Sequence, residues 1–136
     1  MRRHWVAGLT LLVGVVAGWT AATMLEAQPT GIKRTLLMKT ELAGIDGREV
    51  YLGTAEIAPG ASAGRHFHDG HEIGYVLEGA ARFEVQGQAP VDLKPGDHYH
   101  VDAGKRHDAR NTGSGPAKVL AIYLIEKGKP LAVPAQ

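Results

Sequence analysis

The chain has 136 residues, 15 of them basic and 14 acidic, which allows one domain and a short leader. Setting aside Arg2, Arg3 and Glu26 in the predicted leader leaves 13 basic and 13 acidic residues, without a basic stripe. This balance argues against nucleic acid as a partner. There is no cysteine, which excludes disulfides, thiolate metal ligands and a cysteine nucleophile.

The first 27 residues have the pattern of a secretory signal. Positive charge at Arg2 and Arg3 precedes an uncharged stretch, residues 5–22, rich in Ala, Gly, Val and Leu. The pattern favours export, so the protein is expected to be periplasmic or secreted. An uncleaved, membrane-anchoring leader helix is the alternative, because eighteen apolar residues approach the spanning length. Residues 28–34 are interpreted as a spacer.

Residues 35–126 read as short strands separated by turns. Apolar or alternating runs end at Pro-Gly, Glu-Gly, Gln-Gly and Ala-Gly pairs, and no long 3.6-residue period occurs. About eight or nine strands with regular turns are typical of an antiparallel sandwich or barrel. The fold class is therefore predicted to be all-β. The Pro-containing residues 127–136 are predicted to form a surface tail. The clearest predicted strands are 35–39, 49–57, 72–77, 81–85, 91–94, 98–101, 107–111 and 118–125.

Two stretches carry residues with metal-ligand chemistry. His66 and His68 alternate along a predicted strand and so face the same side. Glu72 follows a glycine-containing bend, and His107 can reach the same point from a facing strand of a barrel. Three imidazoles and a carboxylate suit one divalent transition metal, namely Fe(II), Mn(II), Ni(II), Co(II), Cu(II) or Zn(II). On an octahedral ion, such a set leaves open positions for substrate, water or dioxygen.

The spacing of these residues resembles the two motifs of the cupin family. Gly60, His66, His68, Glu72 and Gly79 are separated by five, one, three and six residues. The second motif is formed by Gly96, Asp102, Gly104, His107 and Asn111, with aspartate where the family pattern has proline.

The resemblance covers roughly residues 35–125 and implies a small single-domain cupin, a double-stranded β-helix or jelly roll. It implies that four side chains bind one metal: His66, His68, Glu72 and His107. It also implies tight turns at the motif glycines, and pairing of two copies into a homodimer.

Further histidines are weaker candidates. His71 directly precedes Glu72, so strand alternation turns it away from the metal, towards the surface or the rim. His98 and His100 share one face of their strand and are the predicted acid–base catalysts if that face lines the barrel. The alternative is an exposed or mutually hydrogen-bonded pair. Tyr99 points to the other side, and alternation alone does not choose between the faces.

The resemblance leads us to expect a small metal-dependent enzyme with an oxygenase or a related activity. Its substrate would be a small organic acid or carbonyl compound. Isomerase, decarboxylase and lyase activities stay open, because cupins include all of these and a fold does not settle chemistry. Two non-catalytic hypotheses remain. One is an exported protein that binds a small molecule through its metal, and the other is a structural zinc site in an inert barrel.

Overall fold

The computed structural model describes residues 30–136, and the predicted leader at residues 1–27 lies outside this range. Every regular element in the described part is a β-strand, which confirms the all-β prediction. No helix between residues 30 and 136 has the length and apolarity needed to cross a membrane. The strands are β1 (Ile32–Glu41), β2 (Arg48–Ile57), β3 (His66–Phe67), β4 (Gly70–Glu78), β5 (Ala81–Val85), β6 (Val91–Leu93), β7 (His98–Val101), β8 (His107–Asn111), β9 (Ala117–Glu126) and β10 (Val133–Pro134).

The strands form two five-stranded antiparallel sheets. The first sheet has the order β1-β2-β9-β4-β7, and the second has the order β10-β3-β8-β5-β6. Successive strands change sheet repeatedly, so the chain winds around a shared interior as in a jelly roll. The edges of both sheets are short strands apart from β1, and the interior between the sheets holds the candidate site.

Alternation along the strands builds the core. In β4 and β5, every second residue is buried, as expected for strands with one face on a core and one in water. Val76 and Ile125 are fully enclosed, and each contributes about 1.5–3 kcal/mol by leaving water. Phe83, Val85 and Val101 form a second apolar cluster, which packs beside the candidate site.

The motif glycines occupy tight turns, as the resemblance implied. Gly60, Gly79, Gly96 and Gly104 all have positive φ angles, between 74° and 95°. At Gly79, a β-carbon would also overlap the carbonyl oxygen of Pro116. Glycine is needed there for both reasons, since only it adopts this backbone region without steric cost and leaves room for the neighbouring chain.

The carboxy-terminal segment takes part in the second sheet, which the strand pattern did not predict. Val133 pairs with Phe67, and Pro134 pairs with His66, so β10 lies along β3. The strand is two residues long and contains proline, which is tolerated at a sheet edge. Its position places Leu131, two residues before the strand, beside the candidate site.

Candidate metal centre

Four side chains from both sheets meet in the interior. His66 lies on β3, His68 follows it, Glu72 lies on β4, and His107 begins β8. One ligand atom from each lies within 4.8 Å of the others. His68, Glu72 and His107 are 3–5% exposed, and His66 is partly buried. The structure therefore brings together the four residues predicted as a metal site.

The path of the chain explains how Glu72 comes to face His66 and His68, although only a few residues separate them. His66 pairs directly with His107 on the neighbouring strand of the second sheet. After Asp69, the chain crosses to the first sheet, and Glu72 points back from there. The crossing needs glycine at position 70, because a β-carbon would overlap the carbonyl oxygen of Leu124. The glycine-containing bend is thus a crossing between sheets, and the carboxylate faces the imidazoles from the opposite side.

Backbone carbonyls fix the orientation of all three imidazoles. Nδ1–H of His66 donates to the carbonyl of Gly64 at 2.6 Å, and Nδ1–H of His107 donates to Lys105 at 2.9 Å. Nδ1 of His68 makes the same contact with the carbonyl of Leu131. A backbone acceptor at Nδ1 sets the tautomer and leaves Nε2 as the unprotonated nitrogen.

The remaining nitrogens converge on the carboxylate. Nε2 of His68 lies 2.9 Å from Oε2 of Glu72, and Nε2 of His107 lies 3.0 Å from the same oxygen. The Nδ1–H groups of His68 and His107 both donate to backbone carbonyls. If both rings are neutral, each Nε2 atom therefore directs a lone pair at the lone pairs of Oε2 of Glu72, and the two repel. A cation between them, either a proton on a ring or a metal ion, removes this repulsion. The arrangement thus fits the chemistry of a metal-ligand set.

The pKa shifts of Glu72 and His66 suit metal binding, whereas that of His107 reflects its contact with the carboxylate. Burial acts to raise the pKa of Glu72, but hydrogen bonds with His107 and His68 outweigh it and hold that pKa well below its usual range. Burial, with the charge of His107, lowers the pKa of His66 to about 4. Burial acts to lower the pKa of His107, but the Glu72 carboxylate more than offsets it, so that pKa is raised. At neutral pH the carboxylate is ionised and His66 is neutral.

Tyr99 completes the polar contacts of the carboxylate. Its hydroxyl donates to Oε1 of Glu72 at 2.8 Å, while the histidines contact Oε2. Burial raises the pKa of Tyr99 well above 10, so the phenol stays protonated and donates. Its ring lies across Gly74, its partner in the β4–β7 ladder, where a β-carbon would overlap the ring. Gly74 is therefore required for the tyrosine to reach the carboxylate.

Two neighbouring cavities share residues near the centre. The inner cavity, of about 30 Å³, is bordered by His66, Glu72 and His107. The outer cavity, of about 240 Å³, lies between β1, β2 and β9, beside Leu131. Arg34 and Tyr123 line both cavities, so a guanidinium and a phenol border the inner and the outer space alike. Arg34 is not among the residues predicted from the sequence, although its place two residues after the buried Ile32 on β1 is consistent with an inward-facing position.

The other predicted histidines lie elsewhere. His98 and His100 are exposed on the face of β7 opposite Tyr99, and the structure does not bring them to the four-residue cluster. Their predicted part in acid–base chemistry stays a prediction. His71 is exposed, and its Nδ1 lies 3.0 Å from Nε2 of His100. It points away from the centre, as strand alternation predicted.

The fold and the buried three-histidine, one-glutamate cluster define a small β-barrel protein with a candidate metal centre. Residues 53–123, just over half of the chain, match the family described as Cupin domain. The chain belongs to the cupin family, as its two motifs predicted.

Three relatives illustrate the range within this similarity. The chain is 33% identical over 91 residues to the tetracenomycin polyketide synthase protein TcmJ of Streptomyces glaucescens, covering 66% of this chain and 58% of TcmJ. It is 33% identical over 66 residues to the HTH-type transcriptional regulator PuuR of Escherichia coli, covering 48% of this chain and 35% of PuuR. The solved structure of the DMSP lyase DddQ from Ruegeria pomeroyi has a TM-score of 0.63 at 24% identity, covering 76% of this chain and 51% of DddQ. The last likeness concerns the fold alone, and this chain spans 58% or less of the length of TcmJ and of PuuR.

Proposed function

We propose that His66, His68, Glu72 and His107 hold one divalent transition metal ion, and that the protein is a small metal-dependent enzyme. The observation that carries this is the convergence of imidazole Nε2 atoms on a buried carboxylate while the Nδ1 atoms contact backbone carbonyls. Holding all three rings in this tautomer is what metal ligation needs, and burial keeps competing water out. When bound, the ion supplies Lewis acidity and, if it is redox-active like Fe(II), electrons for oxygen chemistry.

Two features of the cavities support the proposed substrate class. The outer cavity, of about 240 Å³, is smaller than the pockets that hold drug-sized ligands, so the substrate is a small molecule. Arg34 borders both cavities and would orient a carboxylate or another oxyanion through its planar donors. The proposed substrate is a small organic acid or carbonyl compound, and the proposed activity is that of an oxygenase or a related enzyme.

The chain's own residues have distinct tasks in this proposal. Arg34 binds the substrate's anionic group, and His66, the most exposed of the four, lies on the accessible side of the centre. Tyr99 keeps its proton and donates a hydrogen bond to Glu72, which holds the carboxylate in one orientation. Phe83 packs against Tyr99, with ring centroids 4.4 Å apart, and excludes water from that side.

The second candidate function is a non-catalytic protein that binds a small molecule at the same centre. The match to PuuR, whose name describes a transcriptional regulator, favours this candidate, because the shared segment there belongs to a protein not named as an enzyme. Both candidates need the same metal and the same cavity, and they differ in whether the bound molecule is converted.

Turnover separates the two candidates. Metal-free full-length chain is reconstituted anaerobically with Fe(II), Mn(II) or Zn(II) and incubated with a panel of small carboxylic acids and dicarbonyl compounds. Dioxygen uptake and product formation are followed by electrode and mass spectrometry. We expect conversion with the wild type, and at least tenfold less with Arg34→Met, at unchanged metal content. Ligand affinity without product, for every metal, would support the binding protein instead.

Export and pairing complete the proposal. On the sequence of residues 1–27 alone, we propose that the domain acts outside the cytoplasm, either released or attached through that segment. The predicted homodimer also stays a proposal. It is supported by large apolar side chains on the described part of the first sheet that are 42–58% exposed, namely Leu36, Leu37, Met38, Ile73, Tyr75, Leu77 and Ile122.

A further inference from the structure

A second group of potential ligands lies on the outer face of the first sheet. His71 on β4, His100 on the edge strand β7, and Asp102 just beyond it form this group, called here the edge cluster. All three side chains are exposed, with 47%, 52% and 63% of their surface accessible. They point away from the interior, on the opposite side of the sheet from Glu72.

The strand register places these side chains together. β4 and β7 are antiparallel, with Glu72 opposite Val101 and Ile73 opposite His100. Continuing this ladder by one pair sets His71 opposite Asp102, so His100 is its diagonal neighbour on the same face. Diagonal neighbours are within reach of long side chains. The position of the three side chains on one face therefore follows from the pairing of β4 with β7.

The imidazoles already have the spacing of two ligands on one ion. Nδ1 of His71 and Nε2 of His100 are 3.0 Å apart, with stacked rings at 15°. Metal–nitrogen bonds of about 2.0–2.1 Å at angles between 90° and tetrahedral place two nitrogens about 2.9–3.4 Å apart. Oδ1 of Asp102 lies 3.7 Å and 3.8 Å from these nitrogens, so a small rotation of this exposed side chain brings it into coordination.

We infer that the edge cluster is a second metal site, which binds one Zn(II) or Cu(II) ion through His71, His100 and Asp102. Two imidazoles and a carboxylate are ligands that both ions accept. Three protein ligands leave a position for water. The ion takes the place of the hydrogen bond between the two rings, and it joins the edge strand β7 to β4. This assignment is independent of the interior centre, because the two ligand sets share no residue.

Calorimetric titration of metal-free, full-length chain with Zn(II) tests the inference. We expect two equivalents in the wild type and one in His100→Ala, with affinity at the second site reduced at least about tenfold. His98→Ala is the matched control, since this exposed histidine lies on the same face of β7 outside the cluster, and it should keep two equivalents. The double variant His66→Ala/His107→Ala should keep one equivalent, bound at the edge cluster.

Three results would overturn the inference: one equivalent in the wild type that the His66→Ala/His107→Ala change abolishes, two equivalents in His100→Ala, or an equal loss in His98→Ala. The last would show that surface histidines bind the ion without a defined site. Thermal unfolding gives a second readout, because an ion that binds only the folded chain raises Tm. In the His66→Ala/His107→Ala background, Zn(II) should raise Tm, and a further His71→Ala change should abolish that rise.

Discussion

Gly74→Ala tests whether the absence of a side chain at position 74 is what allows Tyr99 to reach Glu72. The added methyl group would lie well under 3.0 Å from the Tyr99 ring, a separation that real β-carbons do not show. The ring must move, so its hydroxyl leaves Glu72 and its face leaves Phe83. Overpacking costs about 1–3 kcal/mol, and the lost hydrogen bond to a buried carboxylate costs about 1–3 kcal/mol. The change from glycine to alanine also stabilises the protein by about 0.4–1 kcal/mol, because it lowers the conformational entropy of the unfolded chain.

The midpoints of these ranges give a net loss of about 3 kcal/mol, a large part of the 5–15 kcal/mol that is typical of a domain. The loss in unfolding free energy is measured by urea unfolding of the metal-free protein, with far-ultraviolet circular dichroism as the signal. Trp5 and Trp19 both lie in the leader, so tryptophan fluorescence does not report on the barrel. Gly115→Ala is the matched control, because nothing lies within 4 Å of its β-carbon position, and its stability should change by less than about 0.5–1 kcal/mol.

A double-mutant cycle identifies the cause of the loss. If the clash with the tyrosine ring is responsible, Gly74→Ala should cost less than about 1 kcal/mol when Tyr99 has already been replaced by alanine. Additive losses in the double variant would refute the steric explanation. So would a Gly74→Ala protein as stable as Gly115→Ala.

Three further predictions concern the surroundings of the centre. Tyr99→Phe should keep the fold but weaken interior metal binding about 10–100-fold, measured by chelator competition, because Glu72 loses an orienting partner; unchanged affinity would remove this role. Phe83→Ala, at a side chain that is 4% exposed, should lower the unfolding free energy by about 3–5 kcal/mol in urea; a loss below about 1 kcal/mol would contradict the described packing. Truncation before Leu131 should weaken metal binding by a similar 10–100-fold, because His68 loses the carbonyl that orients its ring; full affinity of the shortened chain would show that this contact is dispensable.

The meeting of the four central residues was predictable because several independent patterns agreed. Alternation set His66 and His68 on one side, and the motif spacing brought in Glu72 and His107. Conformational constraints on glycine fixed the turns between the strands. The predicted glycine-containing bend before Glu72 was less specific than the actual crossing between sheets, because the sequence does not show which sheet follows the bend.

The remaining features depend on pairing that a single sequence does not reveal. Strand alternation predicts that Tyr99 lies on the opposite face of β7 from His98 and His100, but it does not predict which face is buried. That choice depends on Gly74 lying opposite the tyrosine across the β4–β7 ladder. Arg34 reads as a surface charge until the face of β1 is known. The β10 strand is too short and too rich in proline to give a periodic signal.

The central claim is that the four interior residues hold one metal ion. The most direct measurement is the metal content per chain by inductively coupled plasma mass spectrometry. It is best made in a His100→Ala background, which removes the edge cluster, with folding verified by circular dichroism. We predict close to one ion per chain in this background and close to none when His107→Ala is added. Equal metal content in the two proteins, or none in either after reconstitution, would contradict the account.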